Sequence, residues 1–398
     1  MPRFSIIVPS YGNAQYLTAC LKSIEDQSFE DWEAVVVDDA SIDGSLDIAL
    51  GFAKSDPRIR VVEMKENRGK HLARISGVEA SSGEYLLFLD ADDEFLPCLL
   101  ERLDERLMDD PDAVVHFGIE TAPTGGMSKW EADAFFESAN ESWGELSDSA
   151  IVEAVFSERF GFRRDWRITQ RVFPSTVAKA SFCKMARRRL ECAEDGYEYF
   201  VLACNEKREI TANDTKGYLY RIGRGSTNER KLDIDGFSMY ALSLFDCKDA
   251  AGEYAAGDGD LAIIECASDF GDRLLETLMT DWHDRVIDAE KEASVRYVAS
   301  LFGAEKVAEQ LFRLVRDDAY ALLDRGEHCK GNEPFLAWMM VAEELKSDSG
   351  GKGSILRYEE AARSHIADLR KRSQIGLWGG GKAAIRSIVG KISRKLGN

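Results

Sequence analysis

Three groups of residues in this 398-residue chain have types and spacing that could do chemistry. Asp90, Asp92 and Asp93 close the apolar run YLLFL at 85–89, and carboxylates so close together repel one another unless a cation sits among them. Their oxygens are the hard ligands that Mg²⁺ or Mn²⁺ takes, with a bound diphosphate completing the shell. Asp38 and Asp39 close a second apolar run at 33–37, and Pro9, Ser10 and Tyr11 close a third at 4–8. Glu194 and Asp195 stand before an aromatic stretch, where a carboxylate could take the proton of an attacking hydroxyl. Each group alone has a structural explanation: an acidic turn before a capped helix starting near Pro97, a turn before Ser41, and an acid favoured at a helix start. Two rival motifs fail for the aspartate cluster. A calcium loop needs Gly where Phe95 stands. An aspartate phosphatase needs a Thr or Val two residues after its second acid, and none is there.

These residues need a scaffold that delivers them to one rim. FSIIV at 4–8, EAVVV at 33–37, IRVV at 59–62 and YLLFL at 85–89 read as strands buried on both faces of a parallel sheet. Helical spacing fills the gaps: Leu17, Leu21 and Ile24 in 14–27, a second helix stopped by Asp56-Pro57, and a third over 69–80. The alternation predicts an α/β fold with an open, mostly parallel sheet flanked by helices, whose ligands bind beyond the carboxyl ends of the strands. Residues 118–150, acidic and rich in Gly and Ser, read as an irregular excursion over that rim. Strand signals stop near 230, and 237–346 carries helical, amphipathic spacing. The loop composition of Gly223–Asn228 marks a domain boundary.

Four stretches in this order, IIVPSYGN, VVVDDAS, ENRGKHLARISGVEASSGEYLLFLDADDEFLP and CAEDGYEYF, resemble the family-two inverting glycosyltransferases over roughly the first 225 residues. The resemblance implies a GT-A type nucleotide-binding sheet at 1–228, a helical domain at 229–346, and a linker with a basic amphipathic tail at 347–398. It implies metal-assisted transfer of a sugar from a nucleotide-diphosphate donor, a UDP-sugar, to a hydroxyl of a glycolipid, polysaccharide or other glycan. Carried over by position, Pro9 and Tyr11 would line the base pocket and Asp39 would accept a hydrogen bond from the base. Lys70 and Arg74 would reach the base or phosphates, although exposed helix cations are the plainer reading of both. Asp90 would face the ribose or the metal shell. Asp92 or Asp93 would bind Mn²⁺ or Mg²⁺, and spacing leaves that choice open. Asp195 would be the general base. One departure stands out: Tyr220–Ser226 resembles the family's closing loop, but Gly223 replaces a His often found there, so Arg221 or Arg224 would balance diphosphate charge instead.

Composition restricts the alternatives. A net charge of −20 repels nucleic-acid phosphates, so no nucleic-acid partner is expected. Eight cysteines without metal spacing suit a reduced, cytoplasmic protein. No apolar run is long enough to span a bilayer. From Arg370 onward the chain has eight Lys or Arg and no acid, and Ala384, Ile385, Ile388, Val389, Ile392 and Leu396 share an apolar face. That is the profile of peripheral contact with the inner face of an anionic membrane, or equally of a terminal helix docked on the acidic body. Gly376–Lys382 approximates a phosphate loop but lacks its Ser or Thr. The alternative function is a non-catalytic nucleotide-sugar-binding or scaffold protein of a glycan-assembly complex, against which the acids kept at three strand ends speak.

Overall fold

The structure, a computed structural model, describes residues 1–122, 129–160, 165–221, 231–327, 331, 333–348 and 356–376. The chain opens as β1 (Phe4–Ser10), α1 (Ala14–Glu25), β2 (Trp32–Asp38), α2 (Ser45–Ser55), β3 (Ile59–Glu63), α3 (Lys70–Ala80) and β4 (Tyr85–Phe88). The four strands pair in parallel, β2 between β1 and β3, and β1 between β2 and β4. Every residue of β1, β2 and β4 is buried, the reason these strands read as continuous apolar runs rather than alternating ones. Close packing of α3 on this sheet depends on Gly77, because a Cβ there would lie 2.4 Å from Ile7 Cγ2.

The chain continues through β5 (Glu94–Phe95), α4 (Leu99–Asp109), β6 (Val114–Thr121), α5 (Lys129–Ala139), β7 (Glu145–Ser147), α6 (Ser149–Phe156), β8 (Arg171–Pro174), α7 (Ser175–Lys184), α8 (Glu194–Ala203) and β9 (Arg208–Tyr220). The sheet runs β3-β2-β1-β4-β8-β6-β9-β5, with β7 also on β9. It is parallel from β3 through β4 and mixed beyond, since β8 is antiparallel to both β4 and β6. A parallel neighbour needs a crossover back to the far end of the sheet. Here the chain enters β8 from the end at which β4 finishes, so the start of β8, not its finish, faces the functional rim. The segment expected to be irregular holds the end of β6, then α5 and β7. Its polar composition conceals strand ends paired to β9 and a helix packed on β6.

After β9 the named elements are α-helices and one short 3-10 turn: α9 (Ile234–Asp258), α10 (Leu261–Arg285), α11 (Lys291–Phe302), α12 (Ala304–Asp324), α13 (Pro334–Asp348) and α14 (Glu359–Gly376). Contacts group Met1–Lys231 with Met239–Leu274 as one unit, and Leu232–Ser238 with the described residues from Leu275 on as a second. An aromatic cluster ties Met239–Leu274 into the first unit: the Phe270 ring lies 5.2 Å from Phe156 and 5.5 Å from Trp166. In the second, buried Trp282 donates to the Lys291 carbonyl. The boundary expected at Gly223–Asn228, the closing-loop residues Gly223 and Arg224, and the basic tail beyond Gly376, with all but the first residue of its phosphate-loop approximation, lie outside the described residues. Among the described residues no helix is long and apolar enough to cross a membrane.

Candidate active site

The carboxyl ends of β1, β2 and β4 lie together, and the polar residues that follow them carry the first part of the site. Tyr11, just past β1, is 49% exposed, whereas Pro9 is buried within the strand. Asp39, past β2, is buried and accepts from the backbone N–H groups of Arg68 (2.8 Å) and Gly69 (2.7 Å). Its charge therefore sits at the N-terminus of α3, where the helix dipole favours it. Gly69 permits this turn with a φ of +86°. Nearby, Ser10 Oγ, Asp38 Oδ1 and Asn67 Oδ1 are buried with no hydrogen-bond partner. Orphaned polar atoms of this kind are costly unless a ligand or water completes them.

A second part of the site is a cleft lined by Lys70 and Arg74 of α3, the three aspartates after β4, and Glu194 and Asp195 at the start of α8. Arg167, Thr169, Tyr220 and Arg221 complete its wall. Eight residues singled out from sequence thus meet in one cleft, while Pro9, Tyr11 and Asp39 lie on the adjoining rim. Arg74 is buried, which overturns its reading as an exposed helix cation. Its guanidinium bonds Glu198 (2.8 Å) and Asp90 (3.0 Å) and lies 3.6 Å from Glu194. His71, also buried, has its ring nitrogens 2.8 Å from Glu198 Oε1 and 2.9 Å from the Ala186 carbonyl. A chain of buried polar contacts thus ties α3 to α8.

The three aspartates differ sharply. Asp90 bonds Lys70 at 3.1 Å as well as Arg74; burial opposes its charge, but these two cations prevail and bring its pKa to about 2. Asp93 is pushed to about 7 by burial and by repulsion from Asp92 and Asp90. Its two oxygens accept from the Arg221 backbone N–H (2.7 Å) and the Tyr218 hydroxyl (2.8 Å). Asp92 is more open than Asp93. One oxygen from each lies within 4.8 Å of the others, a donor set with room for a hard divalent cation, whose charge would relieve the crowding. The Arg221 guanidinium is engaged with Glu94 at 2.6 Å.

Across the cleft, burial raises the pKa of Glu194 to about 7, with Asp195 adding to it and Lys70 and Arg74 opposing. Asp195 is raised by burial, with Arg74 and Arg167 pulling it back. Two acids at a helix start, both raised by burial and both countered by nearby cations, suit a carboxylate that must accept a proton. Arg167, Glu198, Tyr218 and Tyr220 were not found from sequence. Glu198 and Tyr218 occupy positions that read as ordinary helix and strand, and Arg167 precedes a strand rather than following one.

A family model for Glycosyl transferase family 2 matches residues 5–190. The glycosyltransferase AglE of Haloferax volcanii is 32% identical over 250 residues, 62% of this chain and 80% of AglE. The chain belongs to glycosyl transferase family 2. Another relative, the Bacillus subtilis protein TuaG, described as a putative teichuronic acid biosynthesis glycosyltransferase, is 41% identical over 108 residues. That stretch is 27% of this chain and 43% of TuaG, so the match spans less than half of that relative. Among solved structures, S. aureus TarS 1–349 covers 92% of both chains with a TM-score of 0.55 at 19% identity, which makes the GT-A type fold common to both. A further TarS structure, with a TM-score of 0.54, is in complex with UDP-GlcNAc.

Proposed function

We propose that this chain is an inverting glycosyltransferase that moves a sugar from a UDP-sugar to a hydroxyl of a glycolipid, polysaccharide or other glycan. The observation that carries this reading is that the base candidate Asp195 and the aspartate cluster open into the same cleft, with Arg74 bridging the elements that bear them. The base of the nucleotide would lie along Pro9 and Tyr11, with Asp39 accepting from its ring N–H while still holding α3, since a carboxylate has about four acceptor positions. The orphaned oxygens of Ser10, Asp38 and Asn67 support a polar ligand at that rim. The UDP-GlcNAc bound by TarS supports uridine as the nucleoside.

In the reaction, Asp195 takes the proton of the acceptor hydroxyl as its oxygen attacks the anomeric carbon from the face opposite the diphosphate. The bond from that carbon to the diphosphate breaks, and the configuration inverts. A divalent cation, Mn²⁺ or Mg²⁺, supplies charge stabilisation to the departing diphosphate when bound. Asp92 would be its direct ligand in this reading, because it is the more open of the pair. Lys70 and Arg74 keep Asp90 ionised beside it. The basic segment from Arg370 is proposed to hold the enzyme at the cytoplasmic face of a membrane that carries its acceptor.

The test combines binding with turnover. UDP with Mn²⁺ is expected to raise the melting temperature of the wild type and of Asp195→Asn, but not of Asp92→Ala, because a ligand of the native state stabilises it. Asp195→Asn should lose roughly 10²- to 10⁴-fold in transfer while still binding donor. Full transfer by Asp195→Asn would remove the assigned base. A wild type that binds UDP-sugar yet neither transfers nor hydrolyses it would favour the scaffold reading.

A further inference from the structure

The cleft has two cationic sides. Lys70 and Arg74 are tied to Asp90, on the side of the aspartate cluster. Arg167 stands elsewhere on the wall, and its charge acts on Asp165, Tyr220 and Asp195. Arg74 and Arg167 both act on the charge of Asp195, and all three line the same cleft. An attack opposite the leaving group calls for an acceptor-holding group apart from the cations tied to the aspartate cluster, and Arg167, paired with Asp165 rather than with Asp90, is such a group.

Arg167 is also held in a built setting. One amino group of its guanidinium pairs with Asp165, while Nε and the other amino group make no hydrogen bond among the described residues. The guanidinium carbon sits 4.4 Å from the centre of the Phe135 ring and 5.7 Å from that of Tyr220, two rings stacked 5.1 Å apart. Beneath the loop, fully buried Arg171 donates to the carbonyls of Arg167 (2.7 Å) and Asp165 (2.8 Å). Arg171 is itself fixed by Glu209 at 3.1 Å and lies over the Tyr199 ring at 3.8 Å. A buried ion pair is a costly way to shape a loop, and this one fixes the backbone on both sides of Trp166.

We propose that Arg167 is the acceptor-binding residue of this enzyme: the uncommitted N–H donors of its Nε and Nη2 hold an oxygen next to the attacking hydroxyl and set that hydroxyl against Asp195. Asp165 balances its charge, so the group it recognises is a neutral, oxygen-rich one, a sugar or polyol, rather than a phosphate. The inference rests on the proposed role of Asp195.

The experiment uses the full chain with a UDP-sugar as donor and p-nitrophenyl glycosides as acceptors, comparing Arg167→Gln and Arg167→Lys with the wild type. Arg167→Gln should raise the acceptor KM about 10- to 100-fold, the loss expected for hydrogen bonds from a charged donor. The donor KM, read from slow hydrolysis of the UDP-sugar by water, should stay within about twofold. The groups acting on Asp195 are Lys70 and Arg74 from α3, Glu194 and Glu198 from its own helix, and Arg167. Removing the Arg167 charge should therefore move the acid limb of the hydrolysis rate to higher pH, and Arg167→Lys should restore it. This limb is read without any acceptor and reports whether the Arg167 charge reaches Asp195, whereas the acceptor KM against an unchanged donor KM reports the binding itself. An unmoved limb, an unchanged acceptor KM, or a donor KM that rises in step overturns the proposal. Full transfer by Asp195→Asn signals failure of the underlying reading instead. Stronger competition by glycerol 3-phosphate than by glycerol would overturn the neutral class.

Discussion

At the scale of single residues, the cleft separates carboxylates of one chemical type by what surrounds them. Asp90 faces Lys70 and Arg74 and stays ionised, whereas Glu194 and Asp195 are raised by burial at the start of α8. A base works only when ionised, so activity should fall as pH drops through the raised value of Asp195. Glu194→Gln removes a neighbouring negative charge and should shift this acid limb of kcat/KM to lower pH, measurable in a pH series of transfer or hydrolysis. The stability consequence follows with the opposite sense. An acid whose folded pKa is raised favours folding below its ordinary value of 4.5, and this contribution is lost as pH rises to about 7 for Glu194. Thermal melts of Glu194→Gln should accordingly show a smaller loss of stability across that window than the wild type. An unchanged window would mean that Glu194 is not held in a raised state.

At the scale of elements, the site depends on how α3, α8 and β9 are locked together. His71, Glu198 and Arg74 are buried, and Glu198 bonds both of the others. Glu198→Gln leaves Arg74 short of a buried counter-charge and should destabilise by about 3–5 kcal/mol in denaturant unfolding, the usual cost of breaking such a pair. A change below about 1 kcal/mol would place that network outside the folding core. On the other wall, the Tyr218 hydroxyl of β9 donates to Asp93 and accepts from the Asp90 backbone N–H at 3.3 Å. Tyr218→Phe keeps the ring packed against Phe95 but removes that support from the aspartate cluster. The Mn²⁺ concentration for half-maximal activity should rise about 10- to 100-fold, with folding stability little changed. An unaltered Mn²⁺ requirement would separate Tyr218 from metal binding.

At the scale of the whole molecule, charge is the organising quantity: a chain of net charge −20 ends in a stretch whose charged residues from Arg370 on are all basic. Full-length protein should sediment with vesicles of anionic lipid at low salt, release as salt screens the attraction, and ignore neutral vesicles. Retained binding after deletion of 377–398 would assign that attraction elsewhere. The sequence by itself determined the first four strands, the helices between them and the acids that follow, because strands buried on both faces of a parallel sheet leave continuous apolar runs and their ligand-facing residues come next in the chain. Helical spacing equally marked the region after 230 as helical. Only tertiary structure decided the rest. β8 is antiparallel and meets the rim with its beginning, so Arg167 reaches the cleft from a position that the rule of looking after each strand does not examine. Arg74 and Lys70 look alike as helix cations, and the partners brought by α8 bury the first and leave the second half open. Asp92 and Asp93 are neighbours of one type, and what sets them apart is the burial of Asp93 against Tyr218 and Arg221, about 125 residues away along the chain and in contact only because β9 pairs with β5 and β6.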